Sequence, residues 1–147
     1  KQVEGVWYFD VNGDKDKTLK NVSSKRKVPI HPKLRELGFF EYYESEDHER
    51  VFPSLKRGRD GYSDAVSKRF SRNLDNYIND DPKLVFHSFR HTAINTLKQA
   101  VAPDQQIDEL MGYHTKSISH GRYGKRYLPD VLLPVVEEIK YELIYEE

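Results

Sequence analysis

Hydrophobic positions along the chain fall into short stretches whose period changes from two to nearly four. Val3 to Phe9 (VEGVWYF) is rich in β-branched and aromatic residues and predicts a strand. Asp10-Val11-Asn12-Gly13-Asp14 follows as a turn signal, with Asn-Gly suited to positive φ. Further strands are predicted over Lys17–Asn21 and Arg26–Ile30, separated by the polar turn Val22-Ser23-Ser24. Together they make a small antiparallel sheet, with Lys20 near the tip of its second hairpin. Pro29 and Pro32 close it, and His31 to Leu37 predicts a short helix that Gly38 stops.

Helical spacing takes over in the second half. Residues 39–60 have no clear period, although Val51-Phe52-Pro53 reads as an apolar anchor between an acidic and a basic loop. From Tyr62 to Ile78, apolar residues recur at Val66, Phe70, Leu74, Tyr77 and Ile78, and Asn79-Asp80-Asp81-Pro82 ends that helix. Ser88 to Ala100 predicts another, its buried stripe formed by Phe89, Ala93, Ile94, Leu97 and Val101. Pro103 breaks it. Asp104 is a candidate cap for a short helix over Gln105–Met111, which Gly112 stops. A last amphipathic helix is expected from Pro129 to Ile144, with Pro134 near its start. The fold class is therefore α+β, mostly helical, with a small N-terminal antiparallel sheet.

Composition narrows the class. The 147 residues, 37% hydrophobic and 33% charged, suit one highly charged domain. Without cysteine, neither a disulfide framework nor a thiolate metal site is possible. No apolar run approaches the length of a membrane span, so no membrane partner is expected. Net charge is zero, yet the charges are segregated. Lys15 to Lys27 and Lys56 to Arg72 are basic stretches, while acids gather at Glu41–Glu49 and Glu137–Glu147. Local charge is what meets phosphates, so a neutral total is compatible with a basic face. Ordinary solvated surface is the competing explanation.

The candidate chemistry lies between His87 and Tyr123. His87 and Arg90 are three apart and share a helix face, where arginine offers a planar fork of donors to two phosphate oxygens. His87 and His91, four apart, are a possible metal pair, but no carboxylate stands between them as in HExxH. His114 follows a helix-to-loop junction, and Tyr123 sits in the cationic Gly121-Arg122-Tyr123-Gly124-Lys125. Each alone is more often a surface or packing residue, and Lys20 alone a solvated charge. As a set they suit phosphodiester chemistry, with a tyrosine attacking phosphorus while cations hold the non-bridging oxygens.

Read together, Leu19-Lys20-Asn21, Ser24-x-Arg-x-Val-Pro-Ile-His-Pro32, Val51-Phe52-Pro53, His87-Ser-Phe-Arg-His-Thr92, Leu110-Met-Gly112, His114 and Arg122-Tyr-Gly124 resemble the catalytic domain of tyrosine recombinases of the phage-integrase type. The resemblance covers nearly the whole chain. It implies a site-specific recombinase with Tyr123 as nucleophile, Arg90 clamping the phosphate and Lys20 as general acid for the leaving 5′-oxygen. By the same resemblance His87 acts as base or proton relay and His114 as phosphate donor. It implies no metal or other cofactor. Its partners would be double-stranded DNA attachment sites and further protomers in a DNA-bound tetramer, in the cytoplasm of a bacterial host at the nucleoid.

Two departures stand out. The family usually places its second histidine directly after glycine, whereas Tyr113 intervenes here. The family's first catalytic arginine belongs on a helix upstream of the hairpin, and nothing before Lys20 fits it. The chain therefore reads as a truncated catalytic domain, expected to be inactive alone and to lack an N-terminal DNA-binding domain. Tyr127 is the rival nucleophile and reads better as packing. A non-catalytic DNA-binding module, a metal-dependent phosphoesterase using His87 and His91, and a type IB topoisomerase remain as alternatives.

Overall fold

A computed structural model describes residues 1–14, 19, 24–45, 50–58, 61–77, 84–113 and 126–140. Among them are three strands, β1 (Gln2–Val3), β2 (Val6–Val11) and β3 (Arg26–Pro29). Six helices follow: α1 (Pro32–Glu36), α2 (Phe39–Ser45), α3 (Ser63–Tyr77), α4 (Ser88–Gln99), α5 (Asp104–Met111) and α6 (Pro129–Glu137). The α+β class holds. The chain forms two compact units, residues 1–37 with 93–147, and residues 38–92.

The first unit holds an antiparallel sheet in the order β1-β2-β3. The single strand expected over Val3–Phe9 is instead two, because Glu4 and Gly5 both take positive φ, 47° and 77°. That is the type I′ geometry whose twist matches a two-residue hairpin, and it pairs Val3 with Val6. The next turn begins later than expected. β2 runs on through Asp10 and Val11, opposite Lys27 and Arg26, and Asp14 N then donates to Asn12 Oδ1 at 3.2 Å. Of the strand expected over Lys17–Asn21, only Leu19 is described, and it is not in a strand. The rest lies outside the described residues.

β3 packs on α5 and α6, over a core of Leu97, Ile107, Leu110, Leu132, Val135 and Val136. Leu97 and Leu132 are completely buried, each contributing about 1.5–3 kcal/mol by removal from water. His31 caps α1 by accepting from Lys33 N through Nδ1 at 2.9 Å. The capping of α5 differs from expectation. Pro103 holds the N-cap position without a side-chain bond, and Asp104 is the first helical residue, where its charge faces the positive end of the helix dipole.

α4 and α5 end in the same way. Val101 N donates to Lys98 O and Ala102 N to Leu97 O, both at 3.0 Å, with Val101 at φ 57°. Gly112 N donates to Glu109 O at 3.2 Å and Tyr113 N to Asp108 O at 2.9 Å, with Gly112 at φ 71°. Both are Schellman motifs, one with a β-branched residue where glycine is usual. Val101, expected on the buried stripe of α4, is 87% exposed.

The last helix is shorter than its pattern suggested. α6 ends at Glu137, and Ile139 packs on the core from beyond it. Glu137 and Glu138 put negative charge at the negative end of the helix dipole; no basic residue lies in the last turn, and Lys140 beyond it pairs with Glu138 at 3.4 Å. Pro134 lies inside the helix rather than at its start; it is exposed, so water can serve the Asp130 carbonyl that a residue with an N–H would have met. Residues 141–147 lie outside the described set.

In the second unit, α2 occupies part of the stretch that showed no period. Its aromatic positions 39, 40, 42 and 43 do have helical spacing, but seven residues are too few for a period to register. Tyr42 stacks on Phe52 with centroids 6.1 Å apart. Phe52 is half exposed, so Val51-Phe52-Pro53 is held by a ring contact and not by burial in a core.

Candidate active site

α4 begins with three consecutive i→i+3 bonds: Ser88 N to Val85 O (2.7 Å), Phe89 N to Phe86 O (3.4 Å) and Arg90 N to His87 O (3.0 Å). Ser88 Oγ accepts from Val85 N at 3.1 Å, and Thr92 Oγ1 donates to Ser88 O at 3.1 Å. His87 and Arg90 are thus joined through one tightened turn at the helix start. His87 is exposed and Arg90 half-buried, so an imidazole and a guanidinium stand one turn apart on one helix edge. His91 continues that edge, its ring 5.2 Å from that of His87 with the planes at 78°. Among the described residues, no three His, Asp or Glu side chains gather as metal ligands.

Phe89 was expected on the buried stripe with Leu97. It is instead 53% exposed, in a cluster of three rings with Phe70 of α3 and Phe86. The centroids are 5.2 Å (Phe70–Phe89), 5.6 Å (Phe70–Phe86) and 5.9 Å (Phe86–Phe89), all edge-to-face. Sequence reading missed this cluster. Its signal was the spacing Phe86-x-x-Phe89, which puts one ring directly before His87 and one directly before Arg90.

α3 presents Lys68, Arg69 and Arg72 to solvent. Their positions span about 100° of the helix, at 100° per residue. Asp64 accepts from Lys68 Nζ at 2.9 Å, and Arg72 Nε donates to Lys68 O at 3.3 Å. Lys56 and Arg57 are exposed on the preceding loop, which a backbone bridge between Gly58 and Gly61 closes. A Cβ on Gly58 would lie 2.9 Å from Asp64 Oδ2, so the bare backbone lets that loop sit against the first turn of α3.

Lys20, His114 and Tyr123 lie outside the described residues. α5 ends in the Gly112–Tyr113 motif, against which the Arg26 guanidinium packs; a Cβ on Gly112 would come within 2.8 Å of Arg26 Nη1. Arg126 and Tyr127 both contact α5: Arg126 Nη1 is 3.2 Å from Glu109 Oε1, and the Tyr127 hydroxyl donates to Gln105 Oε1 at 3.1 Å. Tyr127 is half-buried and packs against the core.

Against known families, the phage integrase family matches residues 14–127. The chain belongs to the phage integrase family. Comparison with curated proteins and with solved structures returned no match. The match spans Lys20, His87, Arg90, His114 and Tyr123, and the family acts on DNA by site-specific recombination. Among the described residues, no helix is long and apolar enough to cross a membrane.

Proposed function

We propose that this chain carries the catalytic residues of a site-specific DNA recombinase that works through a 3′-phosphotyrosyl intermediate, in prophage integration and excision. The Tyr123 oxygen attacks the scissile phosphorus and its proton passes toward His87. The P–O5′ bond breaks, and Lys20 protonates the departing 5′-oxygen to give a hydroxyl. Arg90 and His114 donate to the non-bridging oxygens as their charge is redistributed in the transition state. The 5′-hydroxyl of a partner strand then attacks the phosphotyrosine and releases Tyr123, so rejoining needs no nucleotide. Synapsis of two attachment sites by four protomers, in the bacterial nucleoid, belongs to the same proposal.

The observation that carries this reading is the family match across 14–127, which includes all five residues. The tightened turn joining His87 to Arg90 supports it. So does the exposed cationic stripe of α3, which suits a duplex backbone. The test is a nicked attachment-site duplex that traps cleavage, incubated with the full-length protein in EDTA. An SDS-resistant protein–DNA adduct is expected from the wild type and from Tyr127→Phe, and none from Tyr123→Phe. Bound DNA without any adduct would favour a non-catalytic module instead.

A further inference from the structure

The three-ring cluster belongs to the second unit, and its placement has a consequence for the reaction. Phe86 and Phe89 are about half exposed, so their burial is too incomplete for the cluster to be read as core alone. What distinguishes it is position. Phe70 makes edge-to-face contact with both rings, and each of those precedes one of the two residues meant to meet the phosphate region. We propose that Phe70 is a positioning residue: its ring, through Phe86 and Phe89, fixes the first turn of α4 and thereby the direction of His87 and Arg90. This rests on the recombinase reading.

The physical argument starts from the helix start. The first turn of a helix lacks internal partners for its N–H groups and is its least constrained part. Here that turn is closed by i→i+3 bonds, one as long as 3.4 Å at Phe89, whose ring sits on Phe70. Offset and T-shaped ring pairs have preferred geometry, which an aliphatic side chain of similar volume does not impose. Phe70 also ties this turn to α3, on the side about 160° from Arg72, counting two residues at 100° each. A helix gripping DNA on one side and the catalytic turn on the other would pass the docked position of the duplex to Arg90. Displacing a catalytic group by about 1 Å costs roughly 10²-fold in rate.

The test uses the full-length protein and single-turnover cleavage of the nicked duplex at saturating concentration, with DNA affinity and thermal midpoint measured alongside. Phe70→Leu is expected to slow cleavage about tenfold and Phe70→Ala about 100-fold, with Kd within about twofold of wild type. Phe70→Tyr, which keeps the ring, should restore most of the rate. In an Arg90→Lys background, Phe70→Leu should slow cleavage by less than about threefold, because the group it positions is already compromised. A merely structural residue would give the same loss in both backgrounds, and that result would overturn the proposal. An unaltered rate in Phe70→Leu and Phe70→Ala would overturn it too. If Phe70→Ala does not fold, Phe70→Leu and Phe70→Tyr decide. Absence of cleavage by the wild type would instead refute the recombinase reading, and this inference with it.

Discussion

Replacing Val101 by glycine is expected to make the protein more stable. Val101 holds the left-handed position of the motif that ends α4, at φ 57°, with both closing hydrogen bonds at 3.0 Å. The left-handed conformation costs an L-residue about 1–2 kcal/mol, and β-branching makes valine a poor candidate for it. Glycine removes that cost but gives up about 0.5–1 kcal/mol to its freer unfolded chain. The valine side chain is 87% exposed, so deleting it forfeits only about 0.3 kcal/mol of burial. The net gain is roughly 0.5 kcal/mol. With an unfolding entropy of about 2.1 cal/mol/K per residue, that corresponds to a rise in Tm of about 1–2 °C. Calorimetry, with urea titrations at unchanged slope, would measure it. Val101→Asn should fall between wild type and Val101→Gly. Equal or lower stability for both variants would refute the reasoning, because it would mean the left-handed strain is not there to relieve.

The complementary change at the end of α5 should go the other way. Gly112→Ala introduces the same conformational cost and sets a methyl 2.8 Å from the Arg26 guanidinium, so a loss of about 2 kcal/mol is expected in thermal melts, part of it recovered by Arg26→Ala. Lys68→Ala with Arg69→Ala and Arg72→Ala should weaken binding to any duplex and reduce the slope of log K against log salt by about 2–3. An unchanged slope would separate α3 from the DNA backbone.

How much the sequence disclosed depended on whether a feature is local. Spacing marked α3 and α4, because Val66, Phe70 and Leu74, or Ile94 and Leu97, repeat often enough to define a face, while α5 was marked by its flanking Pro103, Asp104 and Gly112. It placed the α4 start at Ser88 because the next residues show helical recurrence. It failed where two residues govern the geometry, as at Glu4-Gly5, where a turn divides seven strand-like residues. It failed again where the question is what a face meets. Phe89 fits the stripe that contains Leu97 by period, yet its neighbours are Phe70 and Phe86, and nothing in the period of α4 names them. It overran α6 because Ile139 and Tyr141 extend the apolar pattern, while the charges of Glu137 and Glu138 act against the helix itself. The candidate chemistry rests on a different kind of signal. His87, Arg90, His114 and Tyr123 were singled out by the wording and order of the motifs they sit in, a signal that does not depend on which face a helix buries.

The most direct test of the central claim is to identify which side chain becomes covalently bound to DNA. The adduct formed by the full-length protein on the nicked duplex would be digested with nuclease and protease, and the peptide carrying the residual 3′-phosphonucleotide sequenced by mass spectrometry. The mechanism requires that mass on Tyr123, with the matching strand ending in a 5′-hydroxyl. The nucleotide on Tyr127 or on any other side chain, or cleavage with no residue modified, would contradict it.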